Sequence, residues 1–149
     1  MSLGLQCARK IEEFHKAQKT GCRLEDSQLH KPDAFVTLAA IAAVVAIRLL
    51  NLRHQAESSE RAEAPAIQSF DATWVLVVCK LAKHDDPSTL TVRQFYHTIA
   101  KQGGWLARRS DGRPGWQTLW RGWQKIAAYV TGIELLRSSS RNQAHPEFA

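Results

Sequence analysis

The chain has 149 residues, 44% hydrophobic and 23% charged, the balance of an ordinary globular protein. One domain of roughly 100–200 residues with a real core fits that length. Wholesale disorder, collagen and a disulfide-stapled miniprotein are excluded, and little room remains for a multi-domain enzyme. Lysine and arginine number 20 against 14 acidic residues, a net charge of +6. The excess gathers in 93–125, where Arg93, Lys101, Arg108, Arg109, Arg113, Arg121 and Lys125 face only Asp111. Such a cluster either draws polyanions or is a solvated face.

In chain order, residues 1–8 reach Arg9-Lys10 before any apolar run develops, unlike a secretory signal. Cys7, Cys22 and Cys79 show no CxxC spacing, so reduced thiols and a cytoplasmic location are expected. Residues 9–19 read as a helix stopping near Gly21. At roughly 100° per residue, Glu12, Lys16 and Lys19 fall on one face and Ile11 and Phe14 on the other. A carboxylate with two lysines can hold a metal ion beside phosphates, or simply form a surface ion pair.

After a polar stretch ending in Lys31-Pro32-Asp33, residues 34–52 are the most apolar of the chain. The uninterrupted part, 34–47, ends at Arg48, short of the roughly 20 residues a bilayer span needs. Its alanines favour a buried core helix, although Lys31 and Arg53 at its flanks would also suit a membrane-attached protein. Residues 54–69, polar and carrying Pro65, read as a linker.

A third helix is expected over 71–83, bounded by His84-Asp85-Asp86-Pro87. Thr91 and Gln94 have capping-box spacing and open a fourth, which stops at Gly103-Gly104. A fifth begins near Trp116, with Leu119, Trp123, Ile126, Val130 and Ile133 on one face. Trp105, Trp116, Trp120 and Trp123 could stack on bases, but helical spacing favours the core. Ala128 and Gly132, with Leu136 a turn on, suit either a symmetric partner helix or a contact inside the domain. The Ser-rich tail 137–149 is expected to be disordered. The fold class is mainly α, about five helices with no strand. His15, His30, His54 and His97 lack partners at zinc spacing, and no nucleotide-binding or metalloprotease motif occurs.

The run Ile11-Glu12-Glu13-Phe14-His15-Lys16-Ala17-Gln18-Lys19-Thr20-Gly21-Cys22-Arg23 resembles the last catalytic segment of bacterial DDE transposases. These are RNase H-like cut-and-paste enzymes of the insertion-sequence-four group, the transposon-five transposase among them. Glu12 and Lys19 match the second half of the group's Tyr, Arg, Glu, Lys signature, whereas Leu5 and Ala8 stand at its Tyr and Arg positions. The stretch 39–53, then Gly103-Gly104, Asp111-Gly112-Arg113-Pro114-Gly115-Trp116 and Leu119-Trp120-Arg121-Gly122-Trp123, are similar to the group's following helix and dimerisation domain.

The resemblance implies that residues 1–53 are a remnant of a truncated RNase H-like catalytic domain, 54–69 a linker and 70–136 a helical dimerisation domain. Glu12 would be the last of three catalytic carboxylates, one ligand of a Mg or Mn pair that cannot be held by it alone. The two aspartates lie upstream in the group, and no acidic residue precedes Glu12 here, so strand transfer by this chain alone is not expected. No cofactor is expected for the chain alone. Lys16, Lys19 and Arg23 would touch phosphates of transposon ends, with Arg108, Arg109 and Arg113 adding weak backbone contacts. Ala128, Gly132 and Leu136 would form the dimer interface. The expected partners are a second copy or a full-length transposase, whose activity the pairing would inhibit, and DNA, with no membrane. The alternative is a small basic helical nucleic-acid-binding module resting on the 93–125 cluster.

Overall fold

The structure, a computed structural model, describes residues 3–21 and 32–143. It contains the helices α1 (Leu3–Lys16), α2 (Pro32–Glu57), α3 (Ala72–Leu81), α4 (Val92–Gln102) and α5 (Trp116–Gln143). A π-helical turn, Ala17–Gly21, closes α1, and a 3-10 turn, Ala66–Gln68, precedes α3. Among the described residues there is no strand, only one isolated antiparallel bridge between Pro65 and Thr91. The mainly α class with five helices is therefore the observed one.

Local chemistry sets the helix starts. The Asp71 carboxylate accepts from the backbone N–H groups of Thr73 and Trp74 at 2.8 and 3.3 Å, satisfying donors that the first turn of α3 leaves open. At α4 the Thr91 hydroxyl accepts from Gln94 N–H at 3.2 Å while Gln94 Oε1 accepts from Thr91 N–H at 2.9 Å. That is the reciprocal box expected from the spacing. The left-handed turn after α4 falls on Gly104, at φ 102°, one residue past the capping Gly103.

The core lies where α2, α3, α4 and α5 meet. Leu52, Val75, Val78, Phe95, Ile99, Leu119 and Ile126 are fully buried there. Leu119, Trp123, Ile126 and Val130 put the expected face of α5 into this core, with Ile133 packed at its edge. Trp116 and Trp123 are buried, and Trp105 and Trp120 pack against the core, so all four tryptophans serve the interior. Burying each large side chain stabilises the fold by about 1.5–3 kcal/mol, which makes the aromatic positions the main apolar contribution of α5.

Three features differ from expectation. Residues 54–69 are not a free linker. The first four finish α2, and Ala62 and Ala66 are fully buried. The same stretch is strapped to the α4 start by Ala66 N–H to Leu90 O (2.7 Å), Val92 N–H to Ala64 O (3.0 Å) and Arg93 N–H to Ala62 O (2.9 Å). Alanine side chains are short enough to let the two backbones approach. The tail is also not wholly disordered, because α5 continues to Gln143. Residues 144–149 lie outside the described residues.

Third, α2 is not a buried helix throughout. Its buried positions, Ala42, Ala46, Leu49, Leu52, Arg53 and Ala56, form one stripe, while Phe35, Val36, Ile41, Val44 and Ile47 are exposed. By length and composition α2 could cross a bilayer, with a mean hydropathy of 2.2 over its most apolar window. The C-terminal half of its stripe, Ala46, Leu49, Leu52 and Ala56, packs into the helical core.

Helices α4 and α5 cross backbone to backbone. A Cβ added at Gly122 would collide with the carbonyl of Ile99, and one added at Gly103 with the carbonyl of Thr118. Backbone meets backbone there, so no flexible side chain can give way. Gly122→Ala should lower the unfolding free energy by about 3 kcal/mol, the upper end of overpacking costs. Urea titration followed by circular dichroism measures it, and an unchanged midpoint would show that the crossing relaxes freely.

Candidate functional site

Two regions gather the side chains that the sequence singled out. The first is a cavity of about 430 Å³ between α1, the C-terminal end of α2 and the segment entering α5. Glu12, Glu13 and Lys16 line it from α1, with Arg53, Arg113 and Trp116 opposite.

Arg53 organises this cavity. It follows Leu49 and Leu52 on the buried stripe of α2 and is only 3% exposed. A guanidinium taken from water costs several kcal/mol unless its donors and its face are met. Here Nη2 donates to the Pro114 carbonyl at 2.6 Å, and the guanidinium carbon lies 3.5 Å from the centre of the Trp116 ring. The Arg53 Nε and the Tyr96 hydroxyl are both buried without a well-formed hydrogen bond. Burial pushes the Tyr96 phenol above its ordinary pKa, with the neighbouring Arg53 charge pulling the other way. Arg53 thus ties α2 to the loop that begins α5.

Arg113, on the same loop, reaches Glu13 of α1 at 3.6 Å and Glu57 of α2 at 3.7 Å. Both pairs are partly exposed and long, so each adds at most about 1 kcal/mol. Their geometric effect is larger, since they hold the end of α1 against α2. The π-turn completes the docking: Ala17 and Gly21 are buried against α2 and α5.

The sequence-derived site is therefore only partly assembled. Glu12, Lys16 and Arg113 share the cavity. Lys19 is exposed and does not line it, because the wider winding of the π-turn breaks the 100° progression that put it in line with Glu12 and Lys16. Arg108 and Arg109 are exposed on the loop after α4, where Asp111 accepts from the Arg108 backbone N–H at 2.9 Å, away from the cavity lining. Arg23 lies outside the described residues. Arg53 was missed as a site residue and read only as a flank of the apolar run. Its place at i+4 from Leu49 was the available signal.

The cavity does not fit a divalent cation. Its two carboxylates, Glu12 and Glu13, face Arg9, Lys16, Arg53 and Arg113, and Glu13 is already beside Arg113. Among the described residues no group of three or more His, Cys, Asp or Glu side chains has metal-holding geometry. Mg²⁺ needs near-octahedral oxygen ligands, and a surplus of positive charge opposes it.

The second region is the outward face of α5. Ala128 and Gly132 are exposed, and a Cβ added at Gly132 would meet nothing within 4 Å. Tyr129, Leu135 and Leu136 on the same side are 50%, 63% and 71% exposed. An apolar face with small residues at i and i+4 on a long helix is the geometry of a helix that pairs with another.

The domain thus buries one face of its last helix and leaves the other open. A model of the transposase Tn5 dimerisation domain matches residues 44–143. The chain belongs to that family, and its function is transposase-related. The match starts within α2 and ends with α5, so it covers the core and the open face but not Glu12.

Replacing Arg53 with methionine keeps the length of the side chain but removes the Pro114 bond and the charge over Trp116. Arg53→Met should lose about 3 kcal/mol of stability, the worth of a charge-assisted hydrogen bond with part of a desolvated cation–π contact. Trypsin should then cut faster after Arg108 and Arg109. Wild-type stability and cutting rate would show that Arg53 is not the anchor.

Proposed function

We propose that this chain pairs through the outward face of α5, with Ala128, Gly132 and Leu136 at the contact, either with a second copy or with a full-length transposase. The observation that carries this reading is the exposed stripe on α5 in a domain whose family is defined by dimerisation. Covering Leu135 and Leu136 on both partners recovers about 25 cal/mol for each Å² of apolar surface removed from water. Pairing with a full-length transposase would place one helix from each chain across a twofold axis and so inhibit the enzyme by forming mixed dimers.

The chain by itself does not carry out strand transfer. Glu12 offers one carboxylate of the three that the resemblance requires, and its surroundings are positively charged. Nucleic-acid contacts are a subsidiary role. Lys16 and Arg113 stand in the cavity, Lys19, Arg108 and Arg109 reach solvent from their own segments, and all six expected cations, Arg23 included, act on phosphates without reading sequence. A cytoplasmic location follows in the same proposal.

The alternative of a purely nucleic-acid-binding module resting on 93–125 is less well supported. Arg93 is 2.8 Å from Glu63, Lys125 donates to the Gln102 carbonyl, and Arg113 is shared between Glu13 and Glu57. Much of that charge is engaged within the fold.

Sedimentation equilibrium tests the pairing. The unaltered chain should be dimeric, and Leu136→Glu combined with Ala128→Arg should be monomeric with unchanged helicity. A variant that stays dimeric, or an unaltered chain that is monomeric throughout, would overturn the reading.

A further inference from the structure

A second cavity, of about 320 Å³, opens on the face of the domain made by α2, the start of α3 and α5, and the proposed pairing does not use it. Its floor is aromatic and braced. Phe70 stacks on the fully buried Phe95 with centroids 4.6 Å apart and planes 9° apart, and Trp74 lies on the buried Trp123 at 4.2 Å and 32°. The outer rings, Phe70 and Trp74, are half-buried and line the cavity. They are held in place from behind, so a flat ligand can stack without first ordering them.

The wall facing these rings is polar. Arg48, Asn51 and Gln55 line it from α2. Their side-chain ends make no hydrogen bond or ion pair among the described residues. Asp71, also at the rim, is occupied in capping α3. The cavity continues beyond Asn51 and Gln55, which also line a neighbouring hollow with Lys10, His54 and Arg61. Lys10 and His54 are in turn shared with a third hollow, which Arg9 and Arg113 border. Adjacent cavities sharing walls make a groove along α2, aromatic at one end and carrying Arg48, Arg61, Lys10 and Arg9 along the rest, with Glu13 and Glu57 beside Arg113 at its far end.

We propose that this groove binds single-stranded nucleic acid, with one unpaired base in the Phe70–Trp74 cavity and the following phosphates along Arg48, Arg61 and Lys10. Each part answers one need of that ligand. Aromatic rings stack on base faces, side-chain amides pair with base edges, and guanidinium and ammonium groups neutralise phosphate. An aromatic side chain of a peptide would fit the rings but gain little from two amides and a groove in which arginine and lysine outnumber the carboxylates of Asp71, Glu13 and Glu57. Duplex DNA fits less well, because its bases must leave the stack to enter. The proposal extends the nucleic-acid contacts suggested above and rests on them, but it is independent of the α5 face.

Tryptophan fluorescence of the full chain, titrated at fixed low salt, tests it. Three probes are compared at a length of about ten nucleotides, within the usual footprint of single-strand sites. They are a mixed-sequence single strand, an abasic strand of the same length and a duplex. The single strand should bind about tenfold tighter than either of the others. Arg48→Glu and Asn51→Asp, both exposed on α2, should each weaken it severalfold with helicity and dimeric state unchanged. Equal affinity for the abasic strand, tighter duplex binding, or wild-type affinity in both variants would overturn the site while leaving general DNA contact standing. Binding of none of the three probes would remove both the site and the DNA contacts. Dimerisation would be untouched in either case.

Discussion

The arrangement of this domain depends on one buried charge. Arg53 sits on the stripe of α2 that otherwise carries Ala42, Ala46, Leu49, Leu52 and Ala56, and its guanidinium must be met on entering the core. The Pro114 carbonyl and the Trp116 ring meet it, and both belong to the entry of α5. Fixing that entry fixes the rotation of α5. Leu119, Trp123, Ile126 and Val130 then turn inward, and Ala128, Gly132 and Leu136 turn outward. The glycine crossing of α4 and α5 brings the two backbones close enough for this rotation to be unique.

The same constraint separates the two faces for which functions are proposed. On one side α5 presents its open stripe. On another, α2 with Phe70 and Trp74 presents the groove with its aromatic end. The proposed self-association and the proposed ligand binding can therefore be tested independently. The helix carrying Glu12 joins the domain by weaker means, through the one long Arg113–Glu13 pair and the packing of Ala17 and Gly21. It also lies outside the 44–143 span shared with the family.

Much of this was legible in the residues, because local rules and periodicity agree there. Thr91 and Gln94 announced their capping box, and the spacing from Leu119 to Ile133 identified the buried face of α5. The run from Gly103 to Trp123 carried the family. What was missed depends on tertiary contacts. Polarity around Pro65 suggested a linker, whereas Ala62, Ala64 and Ala66 are strapped to the α4 start by backbone bonds that no pattern displays. Arg53 looked like an end marker for an apolar run, since a buried arginine is rare without its partner, and that partner lies 61 residues away. The π-turn after Lys16 moved Lys19 off the Glu12 face, a change of winding that ideal helical angles cannot anticipate.

The central claim is that two copies meet through the outer face of α5, and the most direct measurement is a distance across that contact. A nitroxide at Thr131→Cys, exposed on α5 beside the contact residues, in a chain with Cys7 and Cys22 replaced by serine and the buried Cys79 retained, reports the separation between copies by pulsed electron resonance. Helices that pack face to face lie about 8–10 Å apart, so a narrow distribution of short distances, about 10–20 Å between labels, is expected. A dimer with widely separated labels, or no distance between copies at all, would contradict the claim.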